Sequence, residues 1–504
     1  MRARHLAFEH QRQAQQGLGQ PIIAAELSSG HRLVAVKNRL FHSKRWKTFH
    51  DFLIDYLKDA MGSDWGNAEL AKPLDQRHRI LVWYDKLCEQ QRLFIKEPGV
   101  VVNSRMTGAV AAYLHLAYDL YALAHNADLR TKLVARLRDS RSFFGARYEV
   151  RVAAMLVRGG FIIEFENEDD RSRTHCEFTA TSKNTGASFS VEAKRPETGR
   201  VMRQLVRALK KDASHRRIVF IDLNAPDTDA GSDEIPASMK RAFDLLRRFE
   251  VLDPEARRLP PAYIVMTNTP WEHYLDGIQW RQSALADGFN IDEFKLDHGF
   301  PSLRATIDGR QAHIEMHDFL ESMRRHSEIP STFDGEYPEL AFAEAPPEAS
   351  PRLLVGNRYL IPDADGAEVV GTLTSAVVNE AKRTAMCAAT IEGGKAILFT
   401  APLSEVEMAA WKKHPDTFFG EVSKNHHSET LLDFYDFMMS SYANTPKEKL
   451  LEFMAGASDF AELSMLEQPA LASIYCERMA TNVSASSRPS RPPALRSRWQ
   501  NTKK

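Results

Sequence analysis

Apolar residues recur every three or four positions through much of the first 140 residues, which is the spacing of one helix face. We predict helices over residues 48–62, 79–94 and 106–126, and a strand over 31–40. The most apolar of these segments, 106–126, contains His115 and Asp119. It also lacks the continuous apolar run of about 18–20 residues that a membrane span needs. We therefore predict a buried helix there and no membrane association.

Between residues 141 and 325, helical spacing alternates with short apolar runs of strand length. The predicted helices are residues 143–158, 199–212 and 237–249, and the predicted strands are 161–166, 176–182, 188–194, 218–223 and 262–267. Gly159 and Gly160 end the first helix, and Asn184 and Gly186 mark a turn between the second and third strands. This order predicts an α/β domain.

At 504 residues the chain is too long for one ordinary core, because a domain has roughly 100–200 residues. We divide it into a mostly helical N-terminal region (1–140), the α/β domain (141–327), an acidic, Pro-rich linker on the surface (328–351), an α+β C-terminal domain (352–482) and a basic, disordered tail (483–504). In the C-terminal domain, strands are predicted at 358–361, 369–373 and 396–400, followed by helices.

Composition is that of a globular protein, with 43% hydrophobic and 26% charged residues. The net charge of -1 gives no indication of a polyanionic partner, so only a local basic surface could provide one. The four cysteines lie far apart, without the spacing of a zinc site or a disulfide framework. That usage, and the absence of an apolar signal segment at the N-terminus, predict a cytoplasmic protein.

Strand periodicity brings candidate catalytic groups together. Glu192 and Lys194 are two residues apart in the strand predicted at 188–194, so they share one face. A hairpin turn at 183–187 would place Glu177 on the neighbouring strand beside them. Paired carboxylates hold a hard cation such as Mg²⁺, which polarises a phosphoryl oxygen and activates water. A nearby lysine can orient that water or stabilise the charge that develops at phosphorus.

The preceding helix contributes a third acid, Glu149. Its neighbours at helical spacing are apolar, namely Val152, Ala153 and Leu156. A carboxylate on a packing face is costly unless it is paired or bound to a metal. The arginines of this helix mark another stripe, which we expect to be solvated: Arg147, Arg151 and Arg158.

The helix after Lys194 is basic. Its cations fall at steps of three and four residues and line one face, which could hold a phosphate backbone: Arg200, Arg203, Arg207 and Lys210 or Lys211. Gln204 lies near the strand end and could touch the substrate. The alternative for this face is an ordinary solvated helix surface.

The runs YEVRVAAMLVRGGF, CEF and SVEAK, followed by the basic helix and IVFIDL, resemble the PD-(D/E)xK nuclease superfamily over about residues 141–270. The resemblance implies a restriction-endonuclease-like αβββαβ core and cleavage of DNA, in a role that would suit bacterial defence or repair. Glu177 matches the first acid, Glu192 and Lys194 match the (D/E)xK pair, and Glu149 matches the helix acid of many members. The implied ligands of Mg²⁺ or Mn²⁺ are Glu177, Glu192 and the carbonyl oxygen of Ala193. Many members act as dimers, so a homodimer, or a protein partner bound through the C-terminal region, is expected by analogy.

The sequence departs from that motif at one position, where Glu177 follows Cys176 in place of an Asp after Pro or a small residue. Three functions therefore stay open. The chain is an active metal-dependent endonuclease, or a nuclease-like fold that has lost catalysis and binds nucleic acid, or a regulatory interaction protein in which this domain is a scaffold.

Overall fold

The computed structural model describes residues 2–97, 99–127, 131–166, 176–196, 201–227, 234–296, 299–343, 352–362, 366–420, 428 and 430–486. Over these residues the chain is a mixed α/β protein with three separate sheets of three, six and four strands.

The N-terminal region is mostly helical, as predicted. Its elements are α1 (Arg2–Gln16), β1 (Ile23–Glu26), β2 (Arg32–Val36), β3 (Arg39–Ser43), α2 (Phe49–Met61), α3 (Ser63–Leu70), α4 (Arg79–Phe94), α5 (Gly108–Asn126) and α6 (Thr131–Arg138). The strand expected over residues 31–40 is instead two strands, because Lys37 adopts a left-handed turn with φ of 51°. The helix α5 is buried along nearly its whole length. No helix among the described residues combines the length and the apolar character needed to cross a membrane.

The central region has the predicted order of elements. They are α7 (Phe143–Arg158), β4 (Phe161–Phe165), β5 (Phe178–Ser182), β6 (Ser188–Lys194), α8 (Val201–Leu209), β7 (Arg216–Asp222), α9 (Ala237–Leu252) and β8 (Ala262–Asn268). Three further elements that the sequence did not predict follow: β9 (Ser283–Phe289), α10 (Leu303–Ala312) and α11 (Ile314–Arg325).

These strands form one six-stranded sheet in the order β4-β5-β6-β7-β8-β9. The first two pairings are antiparallel hairpins, and β6, β7 and β8 are parallel to one another. The last pairing, β8 with β9, is antiparallel. The carboxyl ends of three adjacent parallel strands therefore lie at one edge of the sheet, the usual place for ligands in α/β folds.

Each face of the sheet is covered by helices, so side chains alternate between two cores. Ile218 and Phe220 point to the larger core, which also contains α2, α4, α5 and α7. Val219 and Ile221 point to a second core with α8 and α9. Because the larger core draws on residues before and after 140, the N-terminal helices and the sheet pack as one hydrophobic unit.

The segment after α11 is not confined to the surface, which corrects our expectation for residues 328–351. Ile329, Phe333 and Tyr337 are all less than 9% exposed. These large apolar side chains occur every four residues within an acidic, Pro-rich stretch, and each is buried in a core. Residues 344–351 lie outside the described residues.

The C-terminal region is α+β over its described residues. A four-stranded antiparallel meander consists of β10 (Arg358–Pro362), β11 (Glu368–Asn379), β12 (Thr384–Ile391) and β13 (Ala396–Pro402). The short helix α12 (Pro338–Ala341) precedes the sheet. The helices that follow it are α13 (Glu405–Lys413), α14 (Leu431–Tyr442), α15 (Lys447–Phe453), α16 (Phe460–Met465) and α17 (Gln468–Ser486). Three of the four strands are those that the sequence predicts. Most of the predicted tail, residues 487–504, lies outside the described residues.

Candidate active site

The hairpin between β5 and β6 brings Glu177, the residue just before β5, close to Glu192 on β6. Phe178 pairs with Val191, and the Glu177 peptide N–H donates to the Val191 carbonyl oxygen at 3.0 Å. This bond is one residue out of the register of the Phe178–Val191 pair, so Glu177 lies just beyond the regular ladder, and its proximity to Glu192 is shown by the lysines that contact both carboxylates. Val191 belongs to the larger core, so the two carboxylates are on the opposite face, towards the α8 layer. The predicted alternation along both strands is correct.

Two lysines contact this pair of carboxylates. The Lys194 ammonium donates to Glu177 Oε1 at 3.1 Å and forms an ion pair with Glu192 Oε1. Lys211 Nζ is 2.7 Å from Glu192 Oε1 and 3.0 Å from its Oε2, and 3.7 Å from Glu177 Oε1. We call Glu177, Glu192, Lys194 and Lys211 the lysine–carboxylate cluster.

Burial distinguishes this cluster from a surface ion-pair network. Glu192 is only 1% exposed, because β6 is an interior strand between β5 and β7. Burial raises the pKa of Glu192, the charge on Glu177 raises it further, and the two lysines lower it. The pKa of Lys194 is raised, since its attraction to both carboxylates outweighs the effect of burial.

Glu149 is buried on α7, as its apolar neighbours predict, but it is not unpaired. Both of its carboxylate oxygens accept hydrogen bonds from Arg136 on α6, at 2.7 and 2.6 Å. Burial raises the pKa of Glu149 to about 7, against the lowering effect of Arg136. The negative charge of Glu177 contributes to the rise, which indicates that Glu149 belongs to the electrostatic surroundings of the cluster.

The cations of the basic helix and of the turn after it lie in two places, on the exposed surface and in the lysine–carboxylate cluster. Arg203, Arg207 and Lys210 are exposed, and Gln204 is half-buried beside them. Lys210 forms an ion pair with Glu255 at 2.5 Å, away from the carboxylates. Arg200 lies outside the described residues.

The sequence predicted either Lys210 or Lys211 as the last cation on the basic helix face. Lys211 is instead part of the lysine–carboxylate cluster. The helix α8 ends at Leu209, and the Lys211 N–H bonds to the Ala208 carbonyl oxygen in the turn that follows. That turn directs the side chain towards Glu192. Arg136 is the other group that the sequence did not indicate, because it reaches Glu149 from a separate helix.

The arginines of α7 are not solvated, which corrects the expectation for that stripe. Arg147 and Arg158 are 7% and 6% exposed, and Arg151 is half-buried. Arg147 and Arg151 lie over the ring of the fully buried Trp271, at 4.9 and 4.7 Å from its centroid. Arg158 donates to Asp119 on α5 at 2.9 Å. Aromatic faces and a buried carboxylate therefore replace water around these guanidinium groups.

The donor set suits a hard divalent cation. Each ammonium of the cluster contacts oxygens of both glutamates, so these oxygens are close enough to share one cation. The carbonyl group of Ala193, between the two motif residues, is the third donor that the resemblance implies. Glu149 does not complete a set of three side chains: no group of three His, Cys, Asp or Glu residues that could hold a metal ion occurs in the described part of the chain. A cation there would rest on two carboxylates, one peptide oxygen and water, as Mg²⁺ sites often do.

Comparisons with family models, curated proteins and solved structures found no match to this chain.

Proposed function

We propose that this chain is a metal-dependent nuclease of the PD-(D/E)xK type that hydrolyses phosphodiester bonds of DNA. The observation that carries the proposal is the proximity of the Glu177 and Glu192 carboxylates, with Lys194 bridging the two. Hydrolysis of a phosphodiester requires grouped anions for a cation and a neighbouring positive charge, and these residues supply both.

The order of elements supports the same proposal. One helix, two antiparallel hairpin pairings, a crossover helix and a parallel strand follow one another from α7 to β7. This αβββαβ arrangement is the one that the resemblance implies. The motif residues Glu192 and Lys194 are at the carboxyl end of β6, next to the parallel strand β7.

In this proposal each group has a defined task. Glu177, Glu192 and the Ala193 carbonyl oxygen hold Mg²⁺ or Mn²⁺, and the bound ion supplies Lewis-acid activation of the phosphate and of water. Lys194 holds the attacking water in position and stabilises negative charge on the phosphate. Lys211, which contacts Glu192 in this structure, would be available to contact the substrate phosphate once a cation took its place.

Neighbouring groups have supporting tasks. Glu149, positioned by Arg136, would orient a water molecule at the cation. The exposed Arg203 and Arg207 on α8 hold the DNA backbone through contacts that weaken as salt rises.

The decisive experiment is cleavage of single- and double-stranded DNA, with RNA in parallel, in Mg²⁺, in Mn²⁺ and in EDTA. Glu192→Ala and Lys194→Ala should abolish cutting. Glu164→Ala, which removes an exposed acid from the neighbouring strand β4, should cut like the wild type. Cleavage that survives Glu192→Ala, or that continues in EDTA, would refute the assignment.

A second candidate function follows from the charge balance. Arg136, Lys194 and Lys211 already offset Glu149, Glu177 and Glu192, so the cluster is neutral without a metal. That balance favours a nuclease-like fold that has lost its metal and binds nucleic acid through α8. Salt-sensitive DNA binding without cleavage, and without Mn²⁺ binding measured by calorimetry, would identify this second function.

A further inference from the structure

A separate cavity of about 410 Å³ lies near the carboxyl end of β8. It is bounded by α7, the β8 and β9 strands, the start of α9 and the end of α11. Its lining contains no residue of the lysine–carboxylate cluster. Its volume lies in the range of small-molecule sites, roughly 300–1,000 Å³.

The lining of the cavity carries hydrogen-bond donors and positive charge. Arg151 lines it, and of the three α7 arginines only Arg158 has a carboxylate within ion-pair distance among the described residues. The Arg151 Nη2 donates to Gln282 Oε1 at 3.1 Å, while its buried Nε has no hydrogen-bond partner in the described structure. The Trp271 ring covers one face of this guanidinium, and an anion in the cavity would add the charged partner that it lacks.

Further polar groups surround Arg151. Arg281, Thr269 and Ser283 also line the cavity. Because Arg158 and Arg281 are held by Asp119 and Asp227, the cavity has donors fixed in position beside Arg151, which has no carboxylate within ion-pair distance in the described part of the chain. Such preorganised donors are typical of sites for phosphate and carboxylate groups.

Apolar and flexible side chains also line the cavity. It contains the side chains of Met155, Met239 and Met323, with Leu285 beside them. Methionine adapts its shape and makes favourable sulfur contacts with flat rings. A ligand that uses both kinds of side chain therefore has an anionic group and a planar apolar group.

We propose that this cavity binds a nucleoside monophosphate, with the phosphate at Arg151 and Gln282 and the base against the methionines. The site is distinct from the nuclease centre, and the proposal stands whether or not the chain cleaves DNA.

The test is calorimetric titration of the full chain with AMP, adenosine and inorganic phosphate, all in EDTA so that no metal recruits phosphate to the carboxylates. The informative variant is Gln282→Glu, which places a carboxylate against Arg151. The new carboxylate compensates the charge of Arg151, so the variant should fold and its melting temperature should not fall. The matched control is Gln279→Glu, which adds the same charge at an exposed position outside the cavity lining.

We expect AMP to bind one to one, more tightly than adenosine or phosphate. Gln282→Glu should weaken AMP roughly tenfold or more, since one charged hydrogen-bonding group is lost. Gln279→Glu and Glu192→Ala should bind AMP like the wild type. The proposal is overturned if AMP does not bind at millimolar concentration, if Gln282→Glu binds it unchanged, or if Glu192→Ala abolishes binding. Adenosine or phosphate binding as tightly as AMP would also overturn it.

Discussion

Replacing Lys211 with methionine should increase the affinity of the site for Mn²⁺. Lys211 Nζ is 2.7 Å from Glu192 Oε1, so in the metal-free protein it occupies the space beside an oxygen that the cation needs. The matched control is Lys210→Met. It removes an equal charge from the adjacent residue, but Lys210 contacts Glu255 and not the cluster.

The magnitude follows from Coulomb's law. A divalent cation on that Glu192 oxygen would be within about 4 Å of the ammonium, and a double and a single charge at that separation repel by about 8 kcal/mol at an effective dielectric constant of about 20. The Lys211 side chain is 26% exposed and can swing into water, which removes much of that repulsion. A net effect of about 1–2 kcal/mol remains, or roughly a tenfold gain in affinity.

The assay is titration of the wild type and both variants with Mn²⁺, followed by the electron paramagnetic resonance signal of the free ion. Lys211→Met should bind roughly tenfold more tightly than Lys210→Met, which should match the wild type. Equal affinities in all three proteins would show that Lys211 does not compete for the site. No binding in any of them would refute the proposed metal centre itself.

Three further predictions concern the interior and the pH dependence. Arg158→Met should lower the free energy of unfolding in urea by about 3–5 kcal/mol, because it leaves Asp119 buried without its partner. Adding Asp119→Leu should restore most of that loss. Equal stability of the single and double variants would contradict this prediction. Burial lowers the pKa of His78 from 6.5 to about 4, so the unfolded chain takes up the proton first and the melting temperature should fall as pH drops through that window. His78→Asn, which keeps a residue able to cap α4, should show a shallower fall, and an identical fall would count against the assignment. Because the pKa of Glu149 is raised to about 7, cleavage should rise as pH passes 7 and this carboxylate ionises, and a Glu149→Gln variant that kept the same rise would exclude Glu149 as its source.

The local chemistry of the sequence determined the order of elements from α7 to β8 and the faces of the paired strands. A strand alternates its side chains strictly, so Glu192 and Lys194 had to share a face once residues 188–194 were extended. The turn residues Asn184 and Gly186 then indicated the hairpin, and with it the approach of Glu177. These features depend on contacts within about twenty residues along the chain, which is why pattern alone could predict them.

Tertiary structure decided everything that depends on a distant partner. Arg136 neutralises Glu149 from another helix, and Lys211 joins the cluster only because α8 ends two residues before it. Trp271 and Asp119 stabilise the arginines of α7 in the interior. Helical periodicity alone predicts that these side chains face water. Burial of a charge is decided by what packs against it, and packing partners are chosen by the fold and not by neighbouring residues in the sequence.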